Sequence, residues 1–142
     1  MEASHVVTGT KVPTQPIHYI IKHQNSTMFW GCDGCWLPCA SWHIAKAHAY
    51  DMVVYDGTFG TGLHEYLFEH NNLRMICDLV AVWTNQGLIT PETQVYINHI
   101  SKLSNLPHSE LVTYFAPHGV KVAYDGLSVA LPCGAEQSKR TV

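Results

Sequence analysis

Cys32, Asp33, Cys35 and Cys39 fall within eight residues in the stretch FWGCDGCWLPCASW. Three thiols at this spacing invite a zinc or redox reading, because the thiolate is both a metal ligand and a nucleophile. The carboxylate among them offers different chemistry: its two oxygens can bridge two cations about 4 Å apart. A zinc site on the three thiols needs a fourth ligand, and neither Cys77 nor Cys133 forms a second close pair with another cysteine. A thioredoxin-like reading of Cys32 and Cys35 lacks its usual helix directly after the motif, since Pro38 lies three residues on. Asp56 closes the apolar run MVVY, and His99 closes VYIN. Asp33, Asp56 and His99 are thus residues of metal-binding type placed where buried strands run out, the position at which sites collect in layered α/β folds. Turn capping explains either aspartate taken singly. Three such ends in one chain suggest a constellation.

The elements that must carry these residues follow from periodicity. IHYIIK (Ile17 to Lys22) and TMFWG (Thr27 to Gly31) are β-rich runs separated by the polar turn HQNS, which predicts two adjacent antiparallel strands. Pro38 suits the first turn of a short helix through LPCASWHIAKAHAYD. Met52 to Tyr55 reads as a buried strand. Leu73, Ile76, Cys77, Val80 and Trp83 recur at helical spacing, with Asn71 or Asn72 placed to cap that helix and Gly87 to end it. Gln94 to His99 predicts a further strand, Ser109 to Tyr114 a helix, and KVAYDGLSVAL a closing hairpin with Asp125 and Gly126 in a two-residue turn.

Composition sets the outer bounds. A chain of 142 residues supports one domain with a real core. An apolar fraction of 46% against 13% charged residues leaves a surface short of charge, as a face meant to be covered would be. The net charge of −3, without a lysine or arginine cluster, gives no electrostatic basis for nonspecific binding to nucleic acid or anionic membrane. No apolar run approaches the roughly 18 residues that span a bilayer, and MEASHVVTGTK lacks the regions of a secretory signal, so a cytoplasmic location is expected. Five cysteines, an odd number, are expected as reduced thiols.

CDGCWLP, MVVYDGTFG, FEHNNL, VYINHIS and GVKVAYDGLSVAL, in that order, resemble the C-terminal half of a metallo-β-lactamase-fold hydrolase. The resemblance runs from about Ile17 to Leu131 and is greatest to the branch holding the phosphoribosyl cyclic phosphate phosphodiesterase and, more distantly, the transfer-RNA 3′-endonucleases. It implies an α/β (α+β) fold, half of an αββα sandwich, with a mixed sheet and helices on one face. It also implies two divalent metal ions, zinc or manganese, and roles for individual residues. Asp33 matches the bridging carboxylate. His99 matches the histidine ligand of a Thr-His-Ile-Ser motif, with Asn98 in place of threonine. His5 falls in the region of a further histidine ligand. His70 matches a histidine that protonates the leaving oxygen; lying just before a helix N-terminus, it needs a carboxylate partner to stay protonated. Asp56 matches a position read as orienting the site and the loop to His70, and not as a first-choice metal ligand.

The His-x-His-x-Asp-His cluster that defines this fold is found nowhere in the 142 residues. The chain is therefore expected to be one partial domain, either a fragment, one half of a split protein, or a degenerate relative. The implied reaction is hydrolysis of a small-molecule or nucleotide phosphodiester, in which a metal-activated water attacks phosphorus while His70 protonates the departing oxygen. The expected partner is the missing N-terminal half or a second copy. The rival readings are a non-catalytic module of the same fold that binds a partner chain, and a redox or zinc protein using Cys32, Cys35 and Cys39.

Overall fold

The computed structural model describes residues 17–62 and 69–131. Two runs of alternating and β-branched residues pair first. β1 (Tyr19–His23) and β2 (Ser26–Gly31) form an antiparallel hairpin in register from Tyr19↔Trp30 to His23↔Ser26. Gln24 takes a left-handed φ of 51° to close it. β3 (Met52–Asp56), β4 (Gln94–Asn98) and β5 (Val120–Val122) then add in parallel, giving a five-stranded mixed sheet in the order β1-β2-β3-β4-β5.

Parallel neighbours need crossovers, supplied by α1 (Cys39–Ala45), α2 (Leu73–Asn85) and α3 (His108–Phe115), the last extended by a 3-10 turn at Ala116–His118. Strands added in sequence order through crossovers of one hand place every helix on the same side of the sheet. The packing agrees: Ala45 of α1, Ile76, Leu79 and Trp83 of α2, and Leu111 and Phe115 of α3 share one core with Phe29, Val53, Tyr55, Val95 and Ile97 of the strands. The alternate residues Met52, Val54 and Tyr96 form a second apolar cluster on the opposite face, with Met28, Trp30 and Cys32 beside it. All five residues of β3 are buried, as a central strand covered on both faces requires.

The helix boundaries have local causes. The Asn72 side chain accepts a hydrogen bond from the Met75 amide at 2.8 Å, and the chain leaves α2 through Gly87 at φ 72°. The closing hairpin expected from KVAYDGLSVAL keeps its turn but not its second arm. Leu127 N–H donates to the Tyr124 carbonyl at 3.0 Å with Gly126 at φ 89°, yet residues 127–131 form no strand. Leu127, Val129 and Leu131 lie instead against the Met52, Val54 and Tyr96 cluster. The alternation that reads as a strand buries its apolar side on the open sheet face, where it gains more than at the edge of the three-residue β5. No helix among the described residues is long and apolar enough to cross a membrane.

Candidate metal centre

The carboxyl ends of the three inner strands are level. Gly31 pairs with Tyr55, Tyr55 with Ile97, and Asp56 with Asn98. Asp33, Asp56 and His99 therefore leave the sheet at one edge, and the loop after β3 returns His70 to the same place. One donor atom from each of Asp33, Asp56, His70 and His99 lies within 4.8 Å of the other three. Asp33 and His99 are left-handed non-glycine residues, at φ 61° and 56°. Each such conformation costs on the order of 1–3 kcal/mol and persists only where its surroundings fix it.

Asp56 does much of the fixing. Its side chain is wholly buried. Oδ1 accepts from the Thr58 amide at 2.9 Å, and Oδ2 accepts from the Asp33 amide at 2.8 Å. Oδ2 also lies 3.1 Å from Nδ1 of His70 and 3.1 Å from Nδ1 of His99. A carboxylate can only accept, so the hydrogen bond to Asp56 places a proton on His70 Nδ1, and Thr58 Oγ1, whose own hydrogen goes to the His99 carbonyl, accepts from His99 Nδ1. That is the arrangement in which a carboxylate orients a metal-binding imidazole. Thr58 adds a second tie to His99: its hydroxyl donates to the His99 carbonyl at 2.9 Å, and its Oγ1 lies 2.6 Å from Nδ1.

His70 has the carboxylate partner that its place before α2 demands. Burial works against its charged form, but the hydrogen bond to Asp56 and the charges of Asp56, Asp33 and Glu69 outweigh this and raise its pKa above the ordinary histidine value. Its ring stacks on His99, with centroids 5.6 Å apart and planes 26° from parallel, and meets the edge of Phe59.

The loops around the cluster are braced by amides that sequence periodicity assigns less exactly. Asn71 and Asn72 are alternatives as the α2 cap; Asn72 takes that role, while Asn71, buried, donates from Nδ2 to the carbonyls of Gly34 at 3.4 Å and Asp56 at 3.3 Å. Asn105 donates to Gly57 O at 2.9 Å, and Ser104 donates to Thr58 O at 2.6 Å. Thr58, Asn71, Ser104 and Asn105 escape a reading based on strand ends because each acts through backbone groups of a loop it meets only in three dimensions.

Asp33 and His99 offer an oxygen and a nitrogen ligand of the types that zinc and manganese take, with His70 beside them. The sulfurs do not join them. Among the described residues the sole metal-type cluster contains no cysteine, and Cys32, Cys35, Cys39 and Cys77 are free thiols. Burial pushes the Cys32 thiol up to about 12 and the Cys35 thiol up to about 11. His5 lies outside the described residues. Comparison of the sequence with protein-family models and with curated proteins finds no match.

Proposed function

We propose that the chain is the C-terminal part of a metal-dependent hydrolase of the metallo-β-lactamase fold, acting on a phosphodiester. Asp33 and His99 hold the metal, with His5 as a further ligand, and His70 gives a proton to the leaving oxygen. The observation that carries this reading is the double hold of Asp56 Oδ2 on the Nδ1 atoms of His70 and His99 beside the Asp33 carboxylate. A divalent ion bound here supplies Lewis-acid activation of water and of the phosphoryl group. The chain's own groups then do separate work. Asp56 orients His70, Thr58 fixes the tautomer and rotation of His99, and the raised pKa of His70 keeps a proton available to an alkoxide leaving group.

The second sheet face supports the partial-domain side of the proposal. Met28, Trp30, Met52, Val54 and Tyr96, with the crossing segment at Leu127 to Leu131, border a groove of about 640 Å³. A largely parallel sheet is normally covered on both sides, and we assign this face to the N-terminal half that would bring the missing histidine cluster.

The test uses the chain joined to a half that supplies the missing histidine cluster. His70→Ala should slow a phosphodiester with a poor alkoxide leaving group by about 10² to 10⁴-fold. Loss on an activated nitrophenyl ester should be much smaller, with metal content unchanged. Equal losses on the two substrates would remove His70 from proton transfer.

A further inference from the structure

The turn that carries Asp33 is held from three directions. Its amide donates to Asp56 Oδ2 at 2.8 Å, and the Gly34 carbonyl accepts from Asn71 Nδ2 at 3.4 Å. The third support is steric. His18, on the segment leading into β1, is only 2% exposed, and its ring meets Phe29 edge-on at 5.5 Å between centroids. From there the imidazole fills the space beside the Gly34 α-carbon. A Cβ at that position would overlap Nε2 of His18 and come within 3.1 Å of Cε1 and 3.2 Å of Cδ2. Residue 34 is thus confined to glycine by one neighbouring ring.

We infer that His18 is a positioning residue for Asp33: the shape of its buried ring, wedged under the Asp33–Gly34 turn, holds Asp33 in the left-handed conformation that turns its carboxylate toward His70 and His99. The inference rests on the proposed metal centre for its consequence, which is metal affinity, but not for its geometry. Neither His18 nitrogen has a hydrogen-bond partner among the described residues, so the ring acts on the turn by volume and not by a polar tie. Burial, opposed by the charges of Asp56 and Asp33, lowers its pKa to about 4, so the wedge is an uncharged ring at neutral pH. Without it the turn loses its floor. The φ of 61° at Asp33 then has, among the described residues, the Asp56 and Asn71 hydrogen bonds to maintain a conformation that non-glycine residues avoid.

Four variants of the full chain test this: His18→Ala, His18→Phe, Gly34→Ala, and Gly34→Ala combined with His18→Ala. Two quantities are read, hydrogen exchange at the Asp33 amide in metal-free protein and affinity for Mn²⁺ by calorimetry. His18→Ala should speed Asp33 exchange and weaken Mn²⁺ binding by about tenfold, the loss typical when support around a ligand is removed. His18→Phe, which keeps a flat ring, should stay close to the parent in both readouts. Gly34→Ala should reproduce the loss by pushing against the ring, and the double variant should lose less than the sum of the two single changes, because the smaller residue 18 makes room for the new methyl. Unchanged Asp33 exchange in both His18→Ala and Gly34→Ala, or additive losses in the double variant, would overturn the wedge. So would a His18→Phe variant as impaired as His18→Ala. If His18→Ala does not fold, Gly34→Ala and His18→Phe still decide. A parent chain that binds no Mn²⁺ would refute the metal centre, while the exchange results would still test His18.

Discussion

The rings of His70 and His99 stack 5.6 Å apart and 26° from parallel, each with its Nδ1 3.1 Å from the same oxygen of Asp56. One buried carboxylate thereby sets the orientation of two histidines 29 positions apart in the chain. The surrounding bonds extend that control to Asp33 through its amide.

Asp56→Asn should therefore disturb the whole cluster although the change is isosteric. An amide has one acceptor oxygen and presents N–H groups to atoms that now donate, so at least one ring or the Asp33 amide loses its partner. We expect metal affinity to fall by about 10- to 100-fold and stability by about 1–3 kcal/mol. Metal titration and urea unfolding measure the two effects; an unchanged affinity would show that Asp56 does not orient the ligands.

The cysteines should be dispensable for metal. Cys32→Ser together with Cys35→Ala should keep affinity within about tenfold of the parent, because neither thiol belongs to the ligand cluster. Asp33→Ala should remove tight binding. Retention of metal in Asp33→Ala, with loss in the double cysteine variant, would move the site to sulfur.

His18 predicts a pH dependence of stability. Its pKa is lowered to about 4 in the folded chain from an ordinary 6.5. Between those values the unfolded chain takes up a proton that the folded chain refuses, so the contribution is complete above pH 6.5, declines as pH falls, and is gone near pH 4. The shift corresponds to at most about 3 kcal/mol. His18→Phe should flatten this part of the profile in denaturant titrations from pH 7 to 4; a variant with the parent's slope would show that His18 protonates freely when folded.

Much of this fold is legible in the residue pattern. The β1–β2 hairpin, the Pro38 start of α1, the Asn72 cap of α2 and the apolar run of β3 are local signals, and each strand end that carries Asp33, Asp56 or His99 stands at the limit of such a run. What is not legible is made by contacts distant in sequence. The Asp56 tie to His70 joins residues 14 apart, the Asn71 tie to Gly34 joins residues 37 apart, and His18 reads as part of a β run until Gly34 is seen against it. The segment after Gly126 shows the opposite failure: its alternation is real, but the open sheet face captures it before a second hairpin strand can form. Periodicity reports that a face is apolar and not which surface will cover it.

The central claim is that Asp33 and His99 form a metal centre ordered by Asp56, with His70 beside it as a proton donor. Nitrogen NMR of the histidine side chains during zinc titration tests it most directly. Nδ1 of both rings should carry a proton from the start, and zinc should shift Nε2 of His99, with His70 perturbed alongside it; Asp33→Ala should abolish the response. Because Asp33 and His99 leave most of the shell to water, binding by this chain alone should be of modest affinity, with less than one equivalent retained on purification. Nε2 resonances of both rings that stay unmoved at millimolar zinc, or two tightly held equivalents in the chain as purified, would contradict the account.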